Sequence, residues 1–191
     1  VTGAAVQWLR DGLGIIGSAS DTDDMAEMLG DNDGVYMVPA FVGLGAPTWD
    51  PGARGTITGL TRGSSAEHLA RAALESAAYQ VRDVIHAMSP SGRTSSTPLR
   101  ADGGQTASRF LMQFQADILD RPVEVSEIAE TTAIGAAFLA GRGIGLWRSD
   151  GELTRLLRTG ARYDPAMAEG QRARLIAGWY DALERTASVI G

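Results

Sequence analysis

The segment Leu99-Arg100-Ala101-Asp102-Gly103-Gly104 ends a short apolar stretch in a glycine pair, and a helical pattern follows from about Thr106. A strand that turns into a helix through two glycines leaves backbone amides pointing outward. The helix start adds partial positive charge, so an anion can be held there. Glycine also lets a ligand approach the backbone closely. In open α/β sheets ligands sit at the C-terminal ends of strands, where this turn falls. The same residues equally describe a tight strand–helix turn with Asp102 as its cap. Which chemistry is open to the turn follows from composition. All 17 basic residues are arginine and the chain has no lysine. That removes a P-loop lysine and Schiff-base chemistry. Phosphate, if it is handled, must be held by amides, hydroxyls, arginine or a metal.

The other candidates are weaker. Gly3 through Gln7 is a second glycine-bearing helix start, and by itself it reads as an ordinary helix entry. His68 and His86 lie too far apart on one helix to form a ligand pair, so each reads as structural. Asp21, Asp23, Asp24, Asp31 and Asp33 lack calcium-loop spacing and read as a solvated helix and loop. Trp49-Asp50-Pro51 reads as a turn, with Trp49 covering apolar surface. No Ser/His/Asp set can be assembled. The net charge of −6 argues against wrapping a nucleic-acid backbone. Cysteine is absent, so disulfides and thiolate metal sites are excluded. No apolar run approaches a membrane span, and no leader segment is visible.

The elements that must position these residues alternate. Ala4 to Asp11 and Asp23 to Leu29 read as short helices. Val35 to Phe41 reads as a buried strand and Thr56 to Leu60 as a second. A capping box, Ser64 to Glu67, opens a long helix to about Met88, with Leu69, Ala73, Ala77, Val81, Val84 and Met88 as its buried face. Ser89 to Pro98 reads as an exposed loop. Leu99 to Ala101 and Pro122 to Val125 read as strands, and Thr106 to Leu119, Thr131 to Gly141 and Glu169 to Ile190 as helices. The class is α/β, with a thin sheet.

Several stretches together resemble the C-terminal domain of the FGGY carbohydrate kinase family. They are Gly3-Ala-Ala-Val-Gln-Trp-Leu-Arg-Asp11, the run from Gly34 to Gly55 with Gly-Leu-Gly-Ala-Pro-Thr-Trp-Asp-Pro, Gly59-Leu-Thr-Arg-Gly63, Ala73 to Asp83, Asp102-Gly-Gly104, Phe110 to Leu119 and Glu130-Thr-Thr-Ala-Ile-Gly-Ala-Ala137. They occur in family order over roughly the first 147 residues. The Gly-Leu-Gly-Ala-Pro-x-Trp-Asp-Pro stretch is similar to the glycerol-phosphorylating branch.

The resemblance implies an actin-like, ribonuclease-H-like ATPase fold in which two domains flank a cleft for ATP, Mg²⁺ and a polyol. Residues 1–191 would be the C-terminal nucleotide-binding domain, with its first strands preceding Gly3 and the N-terminal catalytic domain absent. Gly3, Gln7, Gly104 and Ser108 match the family's nucleotide-contacting positions. Ser108 departs from the family, which usually has asparagine there to meet the adenosine. The catalytic aspartate and most polyol contacts belong to the other domain, so no catalytic and no metal-binding residue is assigned here, and Asp50 is not at the catalytic position. The activity implied is transfer of the ATP γ-phosphoryl group to glycerol in the cytoplasm. A sister sugar kinase of the xylulokinase type, a non-catalytic nucleotide-binding module and self-assembly into an oligomer stay open.

Overall fold

The computed structural model describes residues 2–89, 97–128, 131–154, 156 and 159–188. Most of the loop expected over 89–98, Glu130 of the last resembling stretch, and the end of the C-terminal helix at Ile190 lie outside these residues.

The apolar run at Val35 forms strand β1 (Tyr36–Val38), paired antiparallel with β2 (Thr56–Thr58) in the register Tyr36↔Thr58, Met37↔Ile57 and Val38↔Thr56. All three β1 residues are buried. Side chains alternate along a strand. Tyr36 and Val38 enter a cluster with Tyr79, Phe114 and Trp179, whereas Val35 and Met37 enter another with Leu9 and Leu74. Both faces are covered, which is why the run shows no polar alternation.

A second sheet holds β3 (Leu99–Ala101), β4 (Val123–Ser126) and β5 (Thr159–Tyr163) in that order. β3 and β4 are parallel, and β5 runs antiparallel to β4. β5 escaped the sequence reading because Thr-Gly-Ala-Arg-Tyr has no apolar alternation and is almost wholly exposed. Pairing holds it, aided by Arg162 Nη1 at 3.1 Å from Glu124 Oε1.

The helices are α1 (Thr2–Gln7), which runs on as a π-helical turn over Trp8–Gly12, α2 (Asp21–Glu27), α3 (Ala66–Met88), α4 (Arg109–Leu119), α5 (Thr131–Gly143), α6 (Asp150–Thr154) and α7 (Glu169–Thr186). α3 is the central element. Its alanines at 70, 72, 73, 77 and 78 let neighbours approach closely, and it packs on α1, α2, α4 and β1. The expected single buried stripe is therefore replaced by burial nearly all round from Ala70 to Tyr79. Val81 and Met88 are exposed instead. The cap is also one residue later than expected. Ser65 is the N-cap, and its amide donates to His68 Nδ1 at 3.1 Å. Trp49 does not cover apolar surface; it stands 74% exposed in a left-handed conformation, φ 54°. α7 closes the far side, with Trp179 stacked on Tyr79 at 5.0 Å and Trp179 Nε1 donating to Asp83 Oδ2 at 2.7 Å.

A buried polar network locks α2 onto α3. Arg71 Nε donates to Glu75 Oε1 at 2.7 Å, and Arg71 Nη1 donates to the carbonyls of Ala26, at 3.3 Å, and Leu29. Glu75 Oε2 accepts from Asn32 Nδ2 and from the Tyr79 hydroxyl, both at 3.3 Å. Burial pushes the Glu75 carboxyl upward, against the pull of Arg71. Arg71→Ala would leave a carboxylate buried without its cation and the end of α2 uncapped. The expected loss is about 3–5 kcal/mol of stability, read from urea unfolding.

Candidate functional site

Ala101 ends β3, and Asp102-Gly103-Gly104 turns the chain at the C-terminal edge of the parallel pair β3–β4. Gly103 sits at φ 90°, ψ 175°, a region essentially reserved for glycine. The helix does not follow at once. A 3₁₀ turn over Gly104–Ala107 intervenes, closed by Thr106 Oγ1 donating to the Gly103 carbonyl at 2.7 Å. Ser108 then caps α4, its Oγ accepting from Leu111 N at 3.0 Å.

The amides of α4's first turn are not free for an external anion. Asp23, from α2, already sits there. Its Oδ2 accepts from Arg109 N at 2.8 Å and Phe110 N at 3.5 Å, and Oδ1 accepts from the Ser108 hydroxyl. The reading of Asp23 as part of a solvated acidic stretch is therefore corrected. A carboxylate at a helix N-terminus satisfies orphan amides and meets the helix dipole favourably. Its partners lie more than eighty residues away, so nothing in the local sequence announces the contact. The amides of Gly103 and Gly104, by contrast, find no partner among the described residues.

The four residues picked out from the sequence come together. Gly3 and Gln7 from α1 and Gly104 and Ser108 from the turn and cap line one cleft of about 390 Å³. Gly3 faces the 3₁₀ turn, since a Cβ there would stand 3.8 Å from Gln105 Nε2. Val6, Leu74 and Leu111 give the cleft apolar walls, and Ser20, Thr22 and Asp23 of α2 and its approach close the third side. These α2 residues were missed. Thr22 is buried with its hydroxyl donating to the Ala19 carbonyl at 2.6 Å. Asp21 braces the same approach. Its carboxyl is held below the ordinary range by the Ser18 hydroxyl first, then by the amides of Ser18 and Gly17. At the rim Arg10 pairs with Asp11 at 2.7 Å.

A second cleft, about 320 Å³, lies across the turn and is lined by Asp102, Glu124, Ser126, Thr131 and Phe138. Asp102 accepts from Thr131 Oγ1 there. Its carboxylate thus belongs to the far side of the turn, and the glycine side is spared its charge. The 390 Å³ cleft combines apolar walls, a glycine turn with unused amides and a few fixed polar groups, which is the make-up of a small-molecule site. No group of three or more metal-ligating side chains occurs among the described residues.

The sequence profile of the FGGY family of carbohydrate kinases, C-terminal domain, matches residues 1–144. The chain belongs to the FGGY family of carbohydrate kinases. It is 56% identical over 188 residues to a glycerol kinase of Rhodospirillum centenum, covering 98% of this chain and 38% of that protein. A glycerol kinase of Petrotoga mobilis is 56% identical over 190 residues, again with 38% of its length covered. The FGGY chain thus spans well under half of the curated relatives it matches. Its structure superposes on that of Plasmodium falciparum glycerol kinase with ADP at a TM-score of 0.87, with 34% identity over 99% of this chain and 38% of the other. A xylulose kinase of Lactobacillus acidophilus shares the fold at a TM-score of 0.81 and 24% identity. The expected actin-like ATPase fold is the fold of this family.

Asp50 is accounted for as a staple. Its carboxylate accepts from the amides of Gly52 (2.9 Å), Ala53 (3.1 Å) and Ser188 (2.7 Å) and from Ser188 Oγ (2.6 Å). The Ser188 hydroxyl and then these amides hold its carboxyl below the ordinary range. A depressed folded-state value stabilises above the unfolded value and is lost as pH falls. Asp50→Asn is therefore expected to melt below the wild type at pH 7. That gap should begin to close once the pH drops under about 3.9, as followed by thermal melts across an acid series.

Proposed function

We propose that this chain is the nucleotide-binding part of an ATP-dependent kinase that transfers the γ-phosphoryl group to glycerol. The observation that carries the reading is the convergence of Gly3, Gln7, Gly104 and Ser108 on one cleft beside a turn with unused amides. The glycerol kinases it resembles across its whole length supply the substrate class. The Plasmodium falciparum glycerol kinase on which it superposes was crystallised with ADP, which supports nucleotide as the ligand.

Phosphoryl transfer is largely positioning and electrostatics. In this reading the amides of Gly103 and Gly104 hold phosphate oxygens, with hydroxyls, arginine or a metal as the other groups a lysine-free chain can offer. Val6, Leu74 and Leu111 hold the apolar part of the nucleotide. Mg²⁺ is expected with ATP, where it would neutralise phosphate charge. The proton acceptor for the glycerol hydroxyl is assigned to the remainder of the longer protein, and residues 1–191 to its C-terminal domain. No helix among the described residues is long and apolar enough to cross a membrane. We place the enzyme in the cytoplasm.

The full-length protein is expected to form glycerol 3-phosphate from glycerol, ATP and Mg²⁺, and the 191-residue chain alone to form none. Turnover of xylulose but not glycerol would move it to the sister kinases. The turn supplies a second check. A Cβ at Gly104 meets nothing within 4 Å, so Gly104→Leu should keep the melting temperature while weakening ADP binding in calorimetry. Gly103→Ala meets backbone strain of about 1–3 kcal/mol and should lower stability as well.

A further inference from the structure

Asp83, on α3 where α7 packs, carries the one buried side-chain oxygen without a hydrogen bond among the described residues. Its side chain is 9% exposed. Trp179 Nε1 donates to Oδ2 at 2.7 Å, and an indole has only that one proton to give. Oδ1 is left bare and out of reach of solvent. A carboxylate oxygen in that position bears the full cost of its lost hydration, whereas a neutral carboxyl bears far less.

The surroundings do not make good the loss. Among the described residues one cation lies within ion-pair distance of Asp83. Arg82 Nη1 stands 3.7 Å from Oδ1, too far for a hydrogen bond. The same nitrogen donates to the Tyr180 hydroxyl of α7 at 2.9 Å, and the guanidinium lies over the Tyr180 ring at 5.8 Å. The other ionisable groups that act on the carboxyl are His86 of α3 and Tyr180 itself. A small recess of about 40 Å³ adjoins Asp83, and the 44–48 loop that lines it brings no ionisable side chain. Burial pushes the Asp83 carboxyl upward. Trp179, Tyr180, Arg82 and His86 pull against that rise without reversing it.

We propose that Asp83 is a proton-operated latch on α7. With its proton on, a neutral carboxyl sits sealed between α3, Trp179 and the 44–48 loop, and α7 is held down. With the proton off, a bare carboxylate oxygen occupies the same place, and it is relieved only when the α7 contact opens and admits water. α7 therefore loosens as pH rises. Asp50 grips the far end of the same helix through Ser188, so that staple is left as the remaining tie between α7 and the loop region. The latch does not rest on what the 390 Å³ cleft holds.

Hydrogen exchange of α7 in the full-length protein, followed across a pH series and corrected for intrinsic rates, tests the latch. A carboxyl raised in the folded state costs stability as pH climbs through its unfolded value, and the loss levels off once it is ionised in the docked state too. The opening constant of α7 should thus climb from about pH 3.9 by up to about tenfold per pH unit and then level. Asp83→Asn cannot ionise and should lack that rise. Asp50 titrates in both proteins and cancels in their difference. A wild-type-minus-variant difference that stays flat, or one in which α7 tightens as pH rises, would overturn the latch and leave Asp83 a plain anchor for Trp179. If Asp83→Asn does not fold, Arg82→Gln decides. Removing the cation beside Oδ1 should carry the rise to higher pH, and a rise that ends where the wild type's does would overturn the latch.

Discussion

The buried pair of Arg71 and Glu75 is the constraint on which the cleft depends. Two charges removed from water are tolerated only when every donor and acceptor is used. Here the partners are the carbonyls that end α2, the amide of Asn32 and the Tyr79 hydroxyl. The network does more than neutralise Glu75. It fixes the C-terminal end of α2 against α3, while Asp23, near the N-terminal end of α2, is fixed against α4. α2 is too short to be stable alone. It stands because it is tied at both ends, and the third wall of the cleft stands with it. A buried ion pair is thus weak evidence for stability but good evidence for placement.

The absence of lysine bears on the rest of the site. In the proposed reading backbone amides take up part of the phosphate, and amides can serve only where the backbone leaves them unpaired and reachable. Gly103 meets that demand through a conformation that side-chain-bearing residues adopt only under strain. Asp102 could have defeated it, since a carboxylate beside the amides would repel an anion. Its contact with Thr131 keeps it on the other side of the turn. The turn is a partition as much as a cradle, with the Asp102 carboxylate on one side and Gly104, whose amide finds no partner among the described residues, on the other.

What was legible in the sequence was whatever local pattern determines. β1 was legible because a strand covered on both faces reads as an unbroken apolar run. The turn at 102–104 was legible because glycine pairs have few other uses. β5 was not, since Thr159–Tyr163 is held by its partner strand and not by its own pattern. The buried face of α3 was misjudged because a helix packed on several sides has no single stripe, and buried Arg71 and Glu75 look like surface residues until their partners are known. Asp23 shows the same limit in the site itself. Its role depends on contacts with Ser108, Arg109 and Phe110, which sequence spacing alone cannot bring near. Gly3, Gln7, Gly104 and Ser108 were picked out only because family resemblance carries long-range information that periodicity lacks.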